Sequence, residues 1–133
     1  MPHVTQLVLD LENQPGTLAR VARALGQKGV NIEGLCAPQT AGRGKIRLLV
    51  SNLEQGESAL KAAGIVTARE EAIALAMENR PGALAEAAER LAEAGVNIEC
   101  AYATAEGTRQ VAVILTVSDR AEADAALGKV GRG

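Results

Sequence analysis

The stretch Glu12-Asn13-Gln14-Pro15-Gly16-Thr17-Leu18-Ala19 decides the fold, because it returns 66 residues later as Glu78-Asn79-Arg80-Pro81-Gly82-Ala83-Leu84-Ala85. A second block, Gly29-Val30-Asn31-Ile32-Glu33, returns intact at the same offset as Gly95-Val96-Asn97-Ile98-Glu99. Residues 12–37 are identical to residues 78–103 at 14 of 26 positions, so a whole folding unit is duplicated. Two copies are too few for a solenoid, and we therefore predict two related domains in tandem, 1–70 and 71–133.

The composition narrows the class of function. The chain has 133 residues, a formal net charge of −2 and one Tyr, with neither Trp nor Phe. A nearly neutral chain does not favour a nucleic-acid or anionic-membrane surface, and the shortage of aromatic rings removes the stacking platform of single-strand binders. The sequence has no apolar run of about 18 residues and no basic-then-apolar leader, so we expect a soluble, cytoplasmic protein with no nucleic-acid or membrane partner.

Residues suited to metal binding or catalysis are few. Cys36 and Cys100 do not occupy equivalent repeat positions and lack CxxC spacing, so we interpret both as small buried apolar residues rather than as a disulfide or zinc site. His3 has no cluster of partner ligands near it in the sequence. The chain contains no GxSxG, HExxH or phosphate-binding loop, and we expect no enzymatic activity, no metal and no cofactor.

Hydrophobic spacing predicts the elements of the first unit. Leu7, Leu9 and Leu11 alternate with polar residues, which is typical of a half-buried strand, and Pro15-Gly16 ends that strand. A helix follows, and Gly29 ends it. Its expected apolar face consists of Leu18, Val21, Ala22 and Leu25.

The remaining elements complete a recognised order. After strands at 30–37 and 46–50, Asn52 with Gln55 forms a capping box that opens a second helix, and residues 65–69 form a fourth strand. The second copy repeats the order from a strand at 73–77, and Asp119 with Glu122 caps its last helix. The order β-α-β-β-α-β is the ferredoxin-like arrangement. The predicted class is α+β, with antiparallel sheets and both helices of each unit on one face.

Two irregularities bear on assembly. Residues 65–78 contain no Gly, Pro or Asn before the terminal Glu78, so the units should be joined stiffly. Only five residues follow Gly128, so the last strand of the second unit is missing or truncated and seven strands are expected for eight places. The strand at 73–77 would then have an uncovered edge, and we predict that a second copy covers it in a homodimer.

Each unit resembles an ACT domain, the small-molecule-sensing module of amino-acid metabolism. The resemblance is carried by the pattern N-x-P-G-x-L, a helix, then G-V-N-I, which occurs twice and covers nearly the whole chain. The resemblance implies binding of a free amino acid and control of a biosynthetic enzyme. We expect no attached catalytic domain, so any regulated enzyme would be a separate protein, or this protein would be a free-standing binder. The missing last strand is the departure from the pattern.

The loop between the first strand and the first helix has chemistry suited to an amino acid. A helix N-terminus presents unpaired N–H groups and partial positive charge, which suit a carboxylate. Gly16 lets a ligand approach the backbone, and the Asn13 amide can both donate and accept. The alternative is ordinary helix-entry chemistry, in which Asn caps, Pro starts and Gly turns without any ligand. The resemblance favours binding at one copy or both.

The resemblance also implies that the ligand lies between this loop of one unit and the second strand of its neighbour. Ile32 and Ile98 would line such a pocket and Tyr102 would offer a hydroxyl, although core packing explains the two isoleucines equally. The candidate ligand-binding residues are therefore Asn13, Gln14, Pro15, Gly16, Thr17, Ile32, Asn79, Arg80, Pro81, Gly82, Ala83, Ile98 and Tyr102. The expected function is a non-catalytic amino-acid sensor. The alternative is a constitutive scaffold or regulatory subunit that binds no ligand.

Overall fold

The computed structural model describes residues 3–12, 14–38, 43–105 and 109–128. The first repeat contains β1 (His3–Glu12), α1 (Thr17–Gln27), β2 (Ile32–Cys36), β3 (Arg43–Val50) and α2 (Leu53–Ala62). The second contains β4 (Ala68–Glu78), α3 (Ala83–Glu93), β5 (Ile98–Ala105), β6 (Gln110–Val117) and α4 (Arg120–Leu127). None of the helices in these ranges is long and apolar enough to cross a membrane.

Contacts divide the chain into two units. The first is Thr5–Glu70, and the second runs from Glu71 onward and includes His3 and Val4. A bond between His3 Nε2 and Asp124 Oδ2 of α4, 2.7 Å long, ties the start of β1 to the second unit. The domain bounds 1–70 and 71–133 remain a prediction about independent folding.

The first unit has the strand order β2-β3-β1, and all neighbours are antiparallel. Leu7 pairs with Leu48 and Leu9 with Ile46, so the alternating leucines of β1 point to the same side as their partners on β3. Both helices add buried residues to that side. The core cluster consists of Leu7, Leu9, Val21, Leu25, Val30, Ile46, Leu48, Ala59, Leu60 and Ile65.

The second unit repeats this plan with the order β4-β6-β5. Ile73 pairs with Leu115 and Leu75 with Val113, again antiparallel. Its core consists of Ile73, Leu75, Ala87, Leu91, Val96, Val113, Leu115, Val117, Ala123 and Leu127. The predicted α+β class, with tandem ferredoxin-like units and helices on one face of an antiparallel sheet, is confirmed.

Helix ends follow the sequence signals. Asn52 Oδ1 accepts from the Gln55 N–H at 3.0 Å, and Asp119 Oδ1 accepts from the Glu122 N–H at 3.1 Å. Both predicted caps are confirmed. Gly29, at the end of α1, has φ 72°, a left-handed conformation that only Gly adopts without strain.

Two local predictions are wrong. Leu18 and Ala22 were expected on the buried face of α1, but Leu18 is 42% exposed and Ala22 is exposed too. Val21 and Leu25, the other two residues of the predicted face, are buried, and Ala24 packs beside them, because residues four apart lie on the same side of a helix.

The strand count also differs. The strands expected at 65–69 and 73–77 are one continuous strand, β4, so the described residues contain six strands rather than seven. Ile65 stays buried in the core but precedes that strand. Residues 129–133, where the last strand was expected to be missing or truncated, lie outside the described residues.

Candidate functional site

The first candidate loop connects β1 to α1. Gln14, Pro15 and Gly16 are exposed, and Thr17 is half-buried. The Thr17 backbone N–H donates to the Gln14 carbonyl at 3.2 Å, and the Thr17 hydroxyl donates to the Glu12 carbonyl at 2.8 Å. These bonds fix a tight turn. Asn13, the fifth predicted loop residue, lies outside the described residues.

The second candidate loop connects β4 to α3. Asn79, Arg80, Pro81 and Gly82 are exposed, whereas Ala83 is buried where α3 begins. The Asn79 N–H donates to the Arg109 carbonyl at 2.7 Å, and the Ala83 N–H donates to the Arg80 carbonyl at 3.3 Å. Each loop therefore brings its own predicted residues together.

The two loop glycines have the same unusual backbone. Gly16 has φ 93° and Gly82 has φ 87°, both left-handed, and each occupies the N-cap position of its helix. Among the described residues, no side chain caps α1 or α3, in contrast to α2 and α4. A Cβ at Gly16 would have no described atom within 4 Å, so the first helical turn is open to an approaching group.

The side chains around the two loops differ in charge. Arg80 donates to both Glu86 oxygens, at 3.0 and 3.1 Å, and to Glu78 at 3.1 Å. The Glu86 carboxylate, with Glu78 second, raises the pKa of the Arg80 guanidinium above its ordinary value. In the first unit the position equivalent to Glu86 is Arg20, and that of Arg80 is Gln14. The Arg80 cation of the second loop is thus paired with carboxylates of its own unit, whereas the first repeat has Arg20 in place of Glu86 and the uncharged Gln14 in place of Arg80.

Arg20 and Glu86 were missed by the sequence-based prediction. The signal was present, since each lies four residues after its loop glycine, in the first or second helical turn. Side chains at such positions lean toward the helix N-terminus, and Glu86 meets the loop residue Arg80. Arg20 Nη2 donates to the Ala63 carbonyl at the end of α2, at 2.8 Å.

Ile32 and Ile98 lie far from the loop of their own unit. On β3, Arg43 pairs with Glu12 at the end of the strand next to the first loop, and Val50 pairs with Ile32 at the opposite end. Seven strand steps separate those pairs, which is about 23 Å along the sheet. Both isoleucines are half-buried and pack against the core of their own unit, which agrees with the core-packing alternative.

Tyr102 lies nearer to the loop of its own unit than Ile98 does. On β5 it is half-buried and pairs with Ile114, four steps along β6 from Gln110, the partner of Glu78. That spacing is about 13 Å. The loop and the second strand of one unit therefore do not form a common pocket through these residues.

Asn31 and Asn97 each make a pair of backbone hydrogen bonds with a serine, and the pair is repeated in the two units. The Asn31 N–H donates to the Ser51 hydroxyl at 2.9 Å, and the Ser51 N–H returns a bond to the Asn31 carbonyl. Asn97 and Ser118 make the same pair of bonds. The main-chain groups of Asn31 and Asn97, not their side chains, make these bonds.

Cys36 and Cys100 form no disulfide, and both are half-buried rather than buried as predicted. The described residues contain no group of three or more His, Cys, Asp or Glu side chains arranged to hold a metal ion.

A buried polar cluster distinguishes the first unit. The Gln6 side chain, fully buried, donates to Glu70 Oε1 at 2.8 Å, and Arg47 Nε donates to the same oxygen at 2.8 Å. On the aligned strands of the second unit the matching residues are Ala72 and Ile114, both buried and apolar. The two units have thus diverged on the sheet face away from their helices.

The sequence matches a family model. The ACT domain pair model aligns with residues 2–127. Among curated protein sequences, none matches this chain significantly.

Solved structures share the fold. Protein BT0572 from Bacteroides thetaiotaomicron superposes with a TM-score of 0.87 and 28% identity, over 96% of this chain and 88% of that one. The ligand-free regulatory subunit of aspartate kinase from Thermus thermophilus gives 0.70 and 22%, over 98% and 91%. The regulatory subunit of aspartate kinase from Thermus flavus gives 0.62 and 20%, over 98% and 91%. At these identities, the two aspartate kinase subunits are similar in fold only.

Proposed function

This chain belongs to the family of ACT domain pairs, and from that premise we propose that it is a non-catalytic regulatory protein that senses a free amino acid. The observation that carries the proposal is the pair of left-handed, uncapped glycine turns at Gly16 and Gly82. Each turn opens a helix N-terminus toward the outside, where N–H groups and the helix dipole favour a carboxylate.

Charge supports the first loop as the stronger site. Arg20 stands there in place of the Glu86 carboxylate, whereas Arg80 at the second loop is already bound by Glu78 and Glu86. A ligand carboxylate at the second loop would compete with two protein carboxylates. The proposed primary site is therefore Gln14, Pro15, Gly16 and Thr17, together with Asn13, and the second loop is the weaker copy.

We propose that another copy of the chain supplies the second wall of the site. Ile32, Ile98 and Tyr102 lie too far along their own strands to meet the loop of the same unit. Leu18 and Leu84, equivalent residues just after the two loops, are 42% and 50% exposed. An additional surface that covers them would exclude water from the ligand, which supports a homodimer as the working form.

The regulated enzyme is proposed to be a separate protein of amino-acid biosynthesis. The Thermus thermophilus structure is described as a regulatory subunit of aspartate kinase, and its shared fold supports a role of this kind. A sensor of the free amino-acid pool would act in the cytoplasm.

A melting screen against the twenty amino acids tests the sensor proposal. We expect one amino acid, or a small related set, to raise the melting temperature. The alternative function, a scaffold without its own ligand, predicts no shift with any amino acid and a constitutive complex with the enzyme. A flat screen would reject the sensor in favour of that scaffold.

A further inference from the structure

The exposed sides of α1 and α3 carry a repeated apolar residue. Leu18 on α1 and Leu84 on α3 occupy equivalent positions of the repeat and are 42% and 50% exposed. A single exposed leucine is ordinary on a protein surface. Here the charged residues beside the two leucines indicate what kind of molecule would cover them.

The charges around the two leucines are opposite in sign. The exposed cations of α1 and of the residue that follows it are Arg20, Arg23 and Lys28. The exposed carboxylates of α3 are Glu86, Glu89 and Glu93. α1 contains no Asp or Glu, and α3 contains one cation, Arg90. Because Arg20 aligns with Glu86 and Arg23 with Glu89, the same surface of the repeat is basic in the first unit and acidic in the second.

Arg23 and Glu89 are available to a second molecule. Within the described part of the chain, neither side chain makes a hydrogen bond or an ion pair. Arg20 contacts the Ala63 carbonyl, and Glu86 contacts the Arg80 guanidinium, so these two charges already have partners. A second molecule that meets both helix faces would therefore pair first with Arg23 and Glu89.

A second copy of the chain can satisfy both charges at once. In an antiparallel contact between two helices, residues at equivalent helical positions come to the same side, so Arg23 of one copy would lie beside Glu89 of the other. Each leucine would lie near a small exposed residue at the far end of the facing helix, Ala92 or Gly26. A contact of α1 with α1, or of α3 with α3, would instead bring like charges together, which is unfavourable.

We propose that α1 of one copy packs antiparallel against α3 of a second copy, and that the reciprocal contact closes a two-fold dimer. Complementary charge selects this pairing over contacts between like helices. The inference rests on the proposed function, which includes a homodimer that covers Leu18 and Leu84, and it assigns the helices that meet in that dimer.

Charge reversal tests this interface, with the dissociation constant of the dimer measured by sedimentation velocity on the full chain without added amino acids. Arg23→Glu and Glu89→Arg each place like charges at both contacts, and we expect each to raise that constant at least about tenfold. An equimolar mixture of the two variants restores opposite charges at both contacts and should form a heterodimer as tight as the wild-type dimer.

The matched controls are Lys61→Glu on α2 and Glu122→Arg on α4, which make the same changes in net charge at other exposed positions. Both controls should leave the dimer intact. Since Arg23 and Glu89 are exposed too, all four variants should fold, and circular dichroism checks this.

The outcomes separate the interface from the proposed function. A wild-type dimer that both reversals leave intact would overturn this interface and keep the homodimer. A dimer that each reversal weakens but the mixture does not restore would overturn the pairing of Arg23 with Glu89. A wild-type chain that stays monomeric at millimolar concentration would overturn both the interface and the homodimer, whereas the sensor is decided separately by the melting screen.

Discussion

Glu86 accepts two hydrogen bonds from the Arg80 guanidinium, at 3.0 and 3.1 Å, across the second loop, and the residue that replaces Glu86 in the first unit is an arginine, Arg20. Duplication has kept the loop backbone, since Gly16 and Gly82 differ by only a few degrees in φ. The side chains around that backbone have diverged in charge. The two loops of one chain should consequently differ in their affinity for anions.

The first prediction concerns that divergence. Replacing Glu86 with Gln removes the principal carboxylate that occupies Arg80, so the second loop should bind an anionic group more tightly. Isothermal titration with the amino acid found by the melting screen should show a second binding event that the wild type lacks. The control is Glu89→Gln, an equally exposed charge on the same helix. An identical titration for the wild type and Glu86→Gln would show that Arg80 is not what limits the second loop.

Gly16 and Gly82 should be needed for stability, because their left-handed backbone conformation is strained in any other residue. Gly16→Ala and Gly82→Ala meet no close contact, but each places a Cβ on a left-handed residue, which costs about 1–2 kcal/mol. Urea unfolding measures this loss. Gly26→Ala is the matched control, because Gly26 lies within α1 in open space, and Ala should stabilise the protein there by up to about 1 kcal/mol. Equal and negligible effects at Gly16 and Gly26 would contradict the assigned backbone strain.

The buried cluster of Gln6, Arg47 and Glu70 should contribute more to the free energy of unfolding than a surface ion pair does. Glu70→Ala leaves Gln6 and Arg47, both largely buried, without a shared acceptor, and we expect a loss of about 2 kcal/mol in the free energy of unfolding. Glu71→Ala is the control, since the Glu71–Arg120 pair is exposed and 3.9 Å long. Its loss should stay below about 1 kcal/mol. A larger loss for Glu71 than for Glu70 would reverse this ranking.

Local sequence signals predicted most of the fold. The period-2 leucines of β1, the Asn52 and Asp119 caps and the glycine at the end of α1 each depend on a few neighbouring residues, and the structure has all of them. The buried side of α1 was misjudged because Leu18 is apolar and lies at helical spacing, and spacing alone cannot tell which side of a helix meets the sheet.

Two further differences between the prediction and the structure lie at the boundary between the units. The junction of two expected strands into β4 and the place of His3 in the second unit depend on contacts between residues far apart in sequence. The charge around the loops was available from the repeat alignment, but the reach of Glu86 to Arg80 depends on the direction in which helical side chains lean. Motif spacing carries no such direction.

The Arg69–Glu57 pair gives a prediction about pH. Bonds from Arg69, 2.6 and 2.9 Å long, lower the pKa of Glu57 below its ordinary value. Because the pKa of Glu57 is lower in the folded state, its ionised carboxylate stabilises the protein at pH values above the unfolded-state pKa, near 4.5. This stabilisation is lost as the pH falls through the folded-state pKa. Glu57→Gln should therefore cost a little stability at neutral pH and nothing at strongly acidic pH. Urea unfolding at several pH values checks this, with Glu54→Gln as control, and a deficit that persists at acidic pH would count against the pair.

The last prediction concerns the start of the chain. His3 contacts Asp124 of α4, and His3 and Val4 group with the second unit, so removal of residues 1–4 should loosen that unit although the cut is made before the first. We expect a melting temperature several degrees lower and faster hydrogen exchange in α4, while α2 keeps its protection. Removal of residues 1–2 alone, which leaves His3 in place, is the matched control and should change neither. Unchanged exchange in α4 after removal of residues 1–4 would contradict a stabilising role for the His3–Asp124 bond.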